Sequence, residues 1–173
     1  QECGLANCRA HDRIEDMLED STVHIVAICT PHHLHVPQAV AAAQAGKHLV
    51  LEKPVALDLA GLRELQAAVR AARVKTVTSF VLRWNPLFET IRVLLADGVI
   101  GRLFHAEVDY LHGIGPWYKQ YEWNVKKEFG GSSLLTAGCH AVDGLRWFVG
   151  KRAVEVFAYS NFSHGNPLSY EYE

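Results

Sequence analysis

Three short apolar runs separated by two helical stretches constrain this chain most. The runs are VHIVAICT (Val23–Thr30), HLVLEK (His48–Lys53) and TVTSFV (Thr76–Val81). Their β-branched, apolar character and length are those of buried strands. Between the first two lies the Ala-rich segment HVPQAVAAAQA, residues 35–45, stopped by Gly46. Between the second and third, Asp58 caps a helix through Arg73 that aligns Leu62, Leu65, Ala68, Val69 and Ala72 on one face. A short helix over Ile14–Leu18 comes before them. Strand, helix, strand, helix, strand with short connections predicts an α/β fold: a parallel sheet with right-handed crossovers.

Such sheets place ligands beyond the carboxyl ends of their strands. Here those ends read Thr30-Pro31-His32-His33-Leu34-His35, Glu52-Lys53-Pro54 and Arg83-Trp84-Asn85-Pro86. The second is unusual, an apolar strand closing on an acid, a base and an imino acid. Pro54 cannot extend the ladder and fixes the backbone, so the Lys53 side chain projects in one direction. A lysine beside a redox-active carbonyl can donate a hydrogen bond or move a proton; a surface Glu-Lys pair is the plain alternative. The three histidines of TPHHLH raise a metal site, but no acid or thiol stands at ligand spacing beside them. A turn facing a cofactor, with main-chain N–H groups near His35 offered to a phosphate or ribose, fits them better.

After Pro86 the pattern changes. Residues 86–97 form an amphipathic helix ending at Gly98. GRLFHAEVDYLH alternates as a half-exposed antiparallel strand does, and AVEVFAYSNF reads as another strand. An aromatic-rich loop, 113–129, holds Trp117, Tyr118, Tyr121 and Trp123, which can stack on a sugar face or fill a core. Gly130-Gly131 then opens a helix that closes at Gly150. On it Thr136, His140 and Asp143, spaced four and three apart, share one face, leaving Leu134, Leu135, Val142 and Leu145 for the core. His140 reads either as a general acid/base or as a structural histidine oriented by Asp143. The expected organisation is residues 1–82 as part of a parallel α/β domain and 83–173 as part of an α+β domain with a mostly antiparallel sheet.

A formal net charge of −2 over 173 residues gives no basic field for nucleic acid. No apolar stretch approaches the ~20 residues of a membrane span, and no signal peptide is visible. Cys3, Cys8, Cys29 and Cys139 form no C-x-x-C pair and read as reduced thiols of a cytoplasmic protein. The start, QECGLANCRA, reads as a helix tail, and the end, SYEYE, interrupts a strand pattern. A piece of a longer protein is expected.

Three segments, in order and spacing, resemble the Gfo/Idh/MocA family of glucose-fructose oxidoreductase, inositol dehydrogenase and their relatives. They are EDMLEDSTVHIVAICTPHHLHVPQAVAAAQAGKHLVLEKPVALD, RWNPLFETIRVLLADGVIGRL and GGSSLLTAGCHAVDGLRWFVG. The resemblance implies an NAD- or NADP-dependent oxidoreductase acting on a sugar, polyol or related alcohol or carbonyl. It implies that residues 1–82 are part of a dinucleotide-binding Rossmann domain, that the sheet of the α+β domain in 83–173 is open-faced, and that a homo-oligomer is built through that open sheet. Lys53 matches the family's catalytic lysine and His140 the histidine that meets the substrate hydroxyl. Thr30, Pro31, His33 and His35, with Glu52, Lys53, Pro54 and Arg83, are the expected cofactor contacts. Trp123, Thr136 and Asp143 are the expected substrate contacts. Two departures stand out. Thr136 occupies a position where many members carry Asp, and a threonine cannot be an anionic base. No G-x-G-x-x-G is present; in the family it follows the first strand, together with the residue that separates NAD from NADP.

A sensor or interaction subunit that binds the dinucleotide without catalysis, and a hydrolase or lyase with a redox-neutral NAD cycle, are the alternatives. Thr136 and His140 are expected to face one cleft with Lys53, His140 the nearer. These 173 residues by themselves are expected to bind NAD(P) poorly and to leave sheet edges and an apolar face uncovered.

Overall fold

The structure is a computed structural model that describes residues 8–161. The readings of QECGLANCRA up to Asn7, of Cys3 and of SYEYE lie outside the described residues.

The strand–helix alternation is realised. Helix α1 spans Ile14–Glu19, β1 Ile25–Ile28, α2 His35–Gln44, β2 His48–Leu51, α3 Leu59–Ala72 and β3 Thr76–Thr78. The strands form one parallel sheet in the order β1-β2-β3, with Ile25 opposite His48 and Leu49 opposite Thr76. Two of these helix ends follow their local chemistry. Asp58 accepts from the Gly61 N–H at 2.7 Å to cap α3, and Gly46 takes a positive φ, 75°, after α2. Alanines let α2 lie close to the strands: Ala39, Ala42 and Ala43 are buried with Val26, Ile28, Leu49, Leu51 and α3 Leu65 in one cluster.

The strands are not buried on both faces. Val26 and Ile28 are covered, but Ile25 is 61% exposed and Ala27 and Cys29 are also exposed. Covering both faces of a parallel sheet takes helices on both, and the described residues cover one.

A 3₁₀ turn, His32–Leu34, joins β1 to α2, and another, Val81–Trp84, joins β3 to α4, Pro86–Ala96. Asn85 caps α4 by accepting from the Leu87 N–H at 3.0 Å. Among the described residues beyond α4 the expected antiparallel strands are not seen. Residues 102–112 and 153–160 carry no ladder, and Phe104, Leu111 and Val154 are almost wholly exposed. Alternation predicts which face a strand would bury. Strand structure itself requires a neighbour for the main-chain N–H and C=O groups, and the described residues supply none there.

Two short helices, α5 (Tyr121–Asn124) and α6 (Lys127–Gly130), occupy the aromatic loop. The helix after Gly130-Gly131 opens with a π-turn, Leu134–Gly138, and continues as α7, Cys139–Val149, closed by Gly150 at φ 64°. Most of its expected core face is turned outward: Leu134, Val142 and Leu145 are exposed and Leu135 is half-buried, whereas Thr136 is 4% exposed. The wider π-turn changes the helical phase, so the residue read as cleft-facing is the one that is packed.

Candidate active site

The carboxyl ends of the strands meet the π-turn, and Lys53 is the junction. Its ammonium donates to the main-chain carbonyl of Thr136 at 2.8 Å, and its own N–H donates to Glu52 Oε2 at 3.2 Å. The Lys53–Pro54 peptide is cis and Pro54 is buried. The side chain leaves the sheet edge and is held from the opposite half of the chain by the Thr136 carbonyl.

His35 holds the same turn from behind. It is 1% exposed, with Nδ1 2.7 Å from the Pro54 carbonyl oxygen and Nε2 2.8 Å from that of Thr30. Both nitrogens of this expected cofactor contact thus face main-chain carbonyls inside the protein, and a single ring N–H serves one of them. Thr30 donates its hydroxyl to Gln38 Oε1 at 2.7 Å. Pro31 precedes the 3₁₀ turn in extended backbone. His33 packs its ring on Phe129, centroids 4.6 Å apart, and its buried Nδ1 has no hydrogen-bond partner.

Thr136 turns its hydroxyl inward. Oγ1 donates to the Gly130 carbonyl at 3.0 Å and lies 3.2 Å from Asn124 Oδ1, so the group read as a substrate contact is spent within the fold. His140 is not nearer to Lys53 than Thr136 is, because the Thr136 carbonyl takes the ammonium directly. The His140 ring stands edge-on to Phe80 at 6.0 Å and 30° from parallel to Tyr110 at 5.3 Å. Its Nδ1 is buried without a partner. Burial first, then the charge of Lys53, lowers its pKa, against weaker opposing effects of Asp143 and Glu52. A neutral imidazole at neutral pH, able to accept a proton, follows.

Asp143 does not orient His140. Its carboxylate takes Arg83 in a bidentate pair, Nε to Oδ2 at 2.7 Å and Nη2 to Oδ1 at 2.5 Å, which raises the arginine pKa. Arg83 also lies over Phe80 and Trp147. The pair ties the 3₁₀ turn after β3 to α7, and neither charge is left single for a ligand. A cavity of about 420 Å³ opens beside it, lined by Arg83, Tyr110, His140, Asp143, Trp147 and Phe148 among others. Trp123 is half-buried with His32 edge-on to it at 4.7 Å, so one side of its ring is used in packing.

Sequence reasoning passed over His32 and Gly130. His32 is 5% exposed and its Nδ1 donates to the Gly130 carbonyl at 3.2 Å. Among three neighbouring histidines nothing in the spacing singles it out. Burial pushes its pKa down to about 4, partly opposed by that bond. The unfolded chain takes up a proton near pH 6.5 that the folded one refuses until about pH 4, so His32 contributes stability present above 6.5 and lost as pH falls toward 4. The loss expected is on the order of 3 kcal/mol across that window. Urea unfolding at pH 7 and pH 4.5 checks it; His32→Phe is expected to flatten the slope. Gly130 admits no side chain: a Cβ there would overlap the Asn124 carbonyl oxygen and stand 2.9 Å from Asn124 Oδ1. Gly130→Ala is expected to cost about 1–3 kcal/mol in urea unfolding, through forced movement of α6 against α5.

Among the described residues no group of three or more His, Cys, Asp or Glu is placed to hold a metal, and no helix is long and apolar enough to cross a membrane.

Comparison with known proteins gives the family. Residues 3–80 match the oxidoreductase family with NAD-binding Rossmann fold, and residues 88–171 match the GFO/IDH/MocA C-terminal domain. Levoglucosan dehydrogenase of Pseudarthrobacter phenanthrenivorans is 31% identical over 157 residues, 88% of this chain and 40% of that protein. The 1,5-anhydro-D-fructose reductase of Ensifer adhaerens is 33% identical over 149 residues, 86% of this chain and 44% of that protein. A solved structure of levoglucosan dehydrogenase with NADH and levoglucosan superimposes with a TM-score of 0.74 at 29% identity, covering 82% of this chain and 39% of that one. The chain thus spans about two fifths of the length of these relatives. Matched in order through both halves, it belongs to the Gfo/Idh/MocA oxidoreductase family.

Proposed function

We propose that the protein containing this chain is a nicotinamide-dependent dehydrogenase or reductase of a sugar, polyol or related alcohol–carbonyl pair. Residues 1–82 belong to its dinucleotide-binding half and 83–173 to its substrate half. The observation that carries this reading is the Lys53 ammonium, at the carboxyl end of β2, fixed on the Thr136 carbonyl four residues ahead of a neutral His140.

The residues fit a nicotinamide group at that edge. The Glu52–Pro54 turn and the Thr30–His35 turn supply main chain and short polar side chains, and the buried Nδ1 atoms of His33 and His140 lack protein partners. When bound, the cofactor takes up or gives the hydride. This chain's residues then have two tasks. Lys53 holds the reacting hydroxyl oxygen through an N–H and bears a positive charge where that oxygen becomes negative. His140, uncharged, accepts the hydroxyl proton during oxidation and returns it during reduction. Thr136 and Asp143 contribute to this machinery by fixing Lys53 and Arg83.

The relatives named for sugar-derived substrates support the substrate class. The free thiols Cys8, Cys29 and Cys139 accord with a cytoplasmic setting, and the exposed Val156 and Phe157 with a homo-oligomer. For His140 as the base, the rate constant for oxidation is expected to hold through pH 6.5 and to fall only as pH drops through the lowered pKa. A pH profile of kcat/KM reads it; an acid limb above pH 7 contradicts it. The test of the function is a panel of sugars and polyols with NAD and NADP, followed by nicotinamide absorbance. Substrate-dependent reduction supports the reading. Cofactor binding without turnover on any member would leave the sensor alternative standing.

A further inference from the structure

We infer that His32 is a positioning residue for Lys53, acting through the Gly130 carbonyl and the Thr136 turn. The proposal rests on the catalytic reading of Lys53 given above. It starts from one oxygen. The Gly130 carbonyl accepts from His32 Nδ1 at 3.2 Å and from Thr136 Oγ1 at 3.0 Å. Thr136, so anchored by its side chain, presents its own carbonyl to the Lys53 ammonium at 2.8 Å. His32, Gly130 and Thr136 are all buried, so none of these bonds exchanges freely with water.

The chain contacts explain why a histidine serves here. The ring fills the space edge-on to Trp123 at 4.7 Å, which an aliphatic donor would not, and offers an N–H at Nδ1. With its pKa held down by burial to about 4, the ring is neutral and adds no positive charge beside the ammonium. Three residues later His35 binds the Pro54 carbonyl at 2.7 Å, in the residue after Lys53. The hexapeptide TPHHLH is thus a two-sided clamp: His35 fixes the main chain behind Lys53, and His32 fixes the acceptor in front of its ammonium. That use of the histidines differs from the metal and cofactor readings of the same motif.

The test compares wild type with His32→Phe, His32→Asn, Thr136→Val, His32→Phe/Thr136→Val and Lys53→Ala in the whole protein. Phe keeps a ring against Trp123 and removes the donor; Asn restores an N–H near the place of Nδ1. Three quantities are read: kcat, cofactor Kd from nicotinamide fluorescence, and the rate of amine-specific labelling at Lys53 by mass spectrometry. His32→Phe is expected to lower kcat about tenfold, since an ångström of misplacement costs up to about a hundredfold, with Kd within about twofold. Labelling of Lys53 rises severalfold, and His32→Asn stays within about threefold of wild type in both. The double variant falls short of the product of the singles, because both act on one carbonyl. A folded His32→Phe protein with wild-type kcat and labelling, or His32→Asn as impaired as His32→Phe, overturns the proposal. Should His32→Phe not fold, His32→Met is read the same way. If Lys53→Ala turns over at the wild-type rate, the catalytic reading fails instead, and the labelling rates alone decide whether the clamp exists.

Discussion

Lys53→Ala is expected to lower turnover by about 10²–10⁴-fold while cofactor affinity changes little. The structure brings this ammonium from the β2 end onto the π-turn, 2.8 Å from the Thr136 carbonyl. Its fixed direction means that little ordering remains to be done when substrate arrives, which is why its removal should fall on kcat. Cofactor affinity depends mainly on contacts to the pyrophosphate and ribose, which the lysine does not make in this reading. Steady-state kinetics on the whole protein, with cofactor binding measured separately, gives the split. A variant with near-normal kcat, or one that loses only cofactor affinity, rules out the proposed role.

His35→Leu is expected to cost about 1–3 kcal/mol in urea unfolding. Leucine fills a similar volume but removes the ring N–H that serves one of the Pro54 and Thr30 carbonyls, 2.7 and 2.8 Å from the ring nitrogens, beside a side chain that is 1% exposed. Each orphaned buried acceptor costs about 1–3 kcal/mol. Because Pro54 follows Lys53, turnover should fall as well, beyond what the unfolded fraction explains. A loss below about 1 kcal/mol would mean that the carbonyl finds another donor and that the His35 ring is dispensable.

The parallel sheet was legible because its signals are local. β-branched runs, the Asp58 cap and Gly46 each act within a few residues, and the structure realises β1, α2, β2, α3 and β3 within two or three residues of the expected bounds. Lys53 was legible for the same reason, since a strand end followed by proline fixes direction. The rest depended on partners far away in sequence. Helical spacing put Thr136 with His140 on a cleft face, but the π-turn over Leu134–Gly138 shifted the phase and buried its hydroxyl against Gly130. Asp143 was three residues from His140 and so read as its partner, yet Arg83, sixty residues earlier, takes both carboxylate oxygens. The three histidines of TPHHLH differ only in what they meet, and those partners are Gly130, Phe129 and Pro54. The alternating segment from Gly101 to His112 announced a strand, but pairing is a property of two segments, and the second could not be read from the first.

The most direct measurement is a crystal structure of the whole protein with NADH and a non-reacting polyol. The account predicts the nicotinamide ring beyond the carboxyl end of β2, with one polyol hydroxyl within hydrogen-bond distance of both Lys53 Nζ and a ring nitrogen of His140. A nicotinamide bound elsewhere, or a polyol that touches neither side chain, would contradict it.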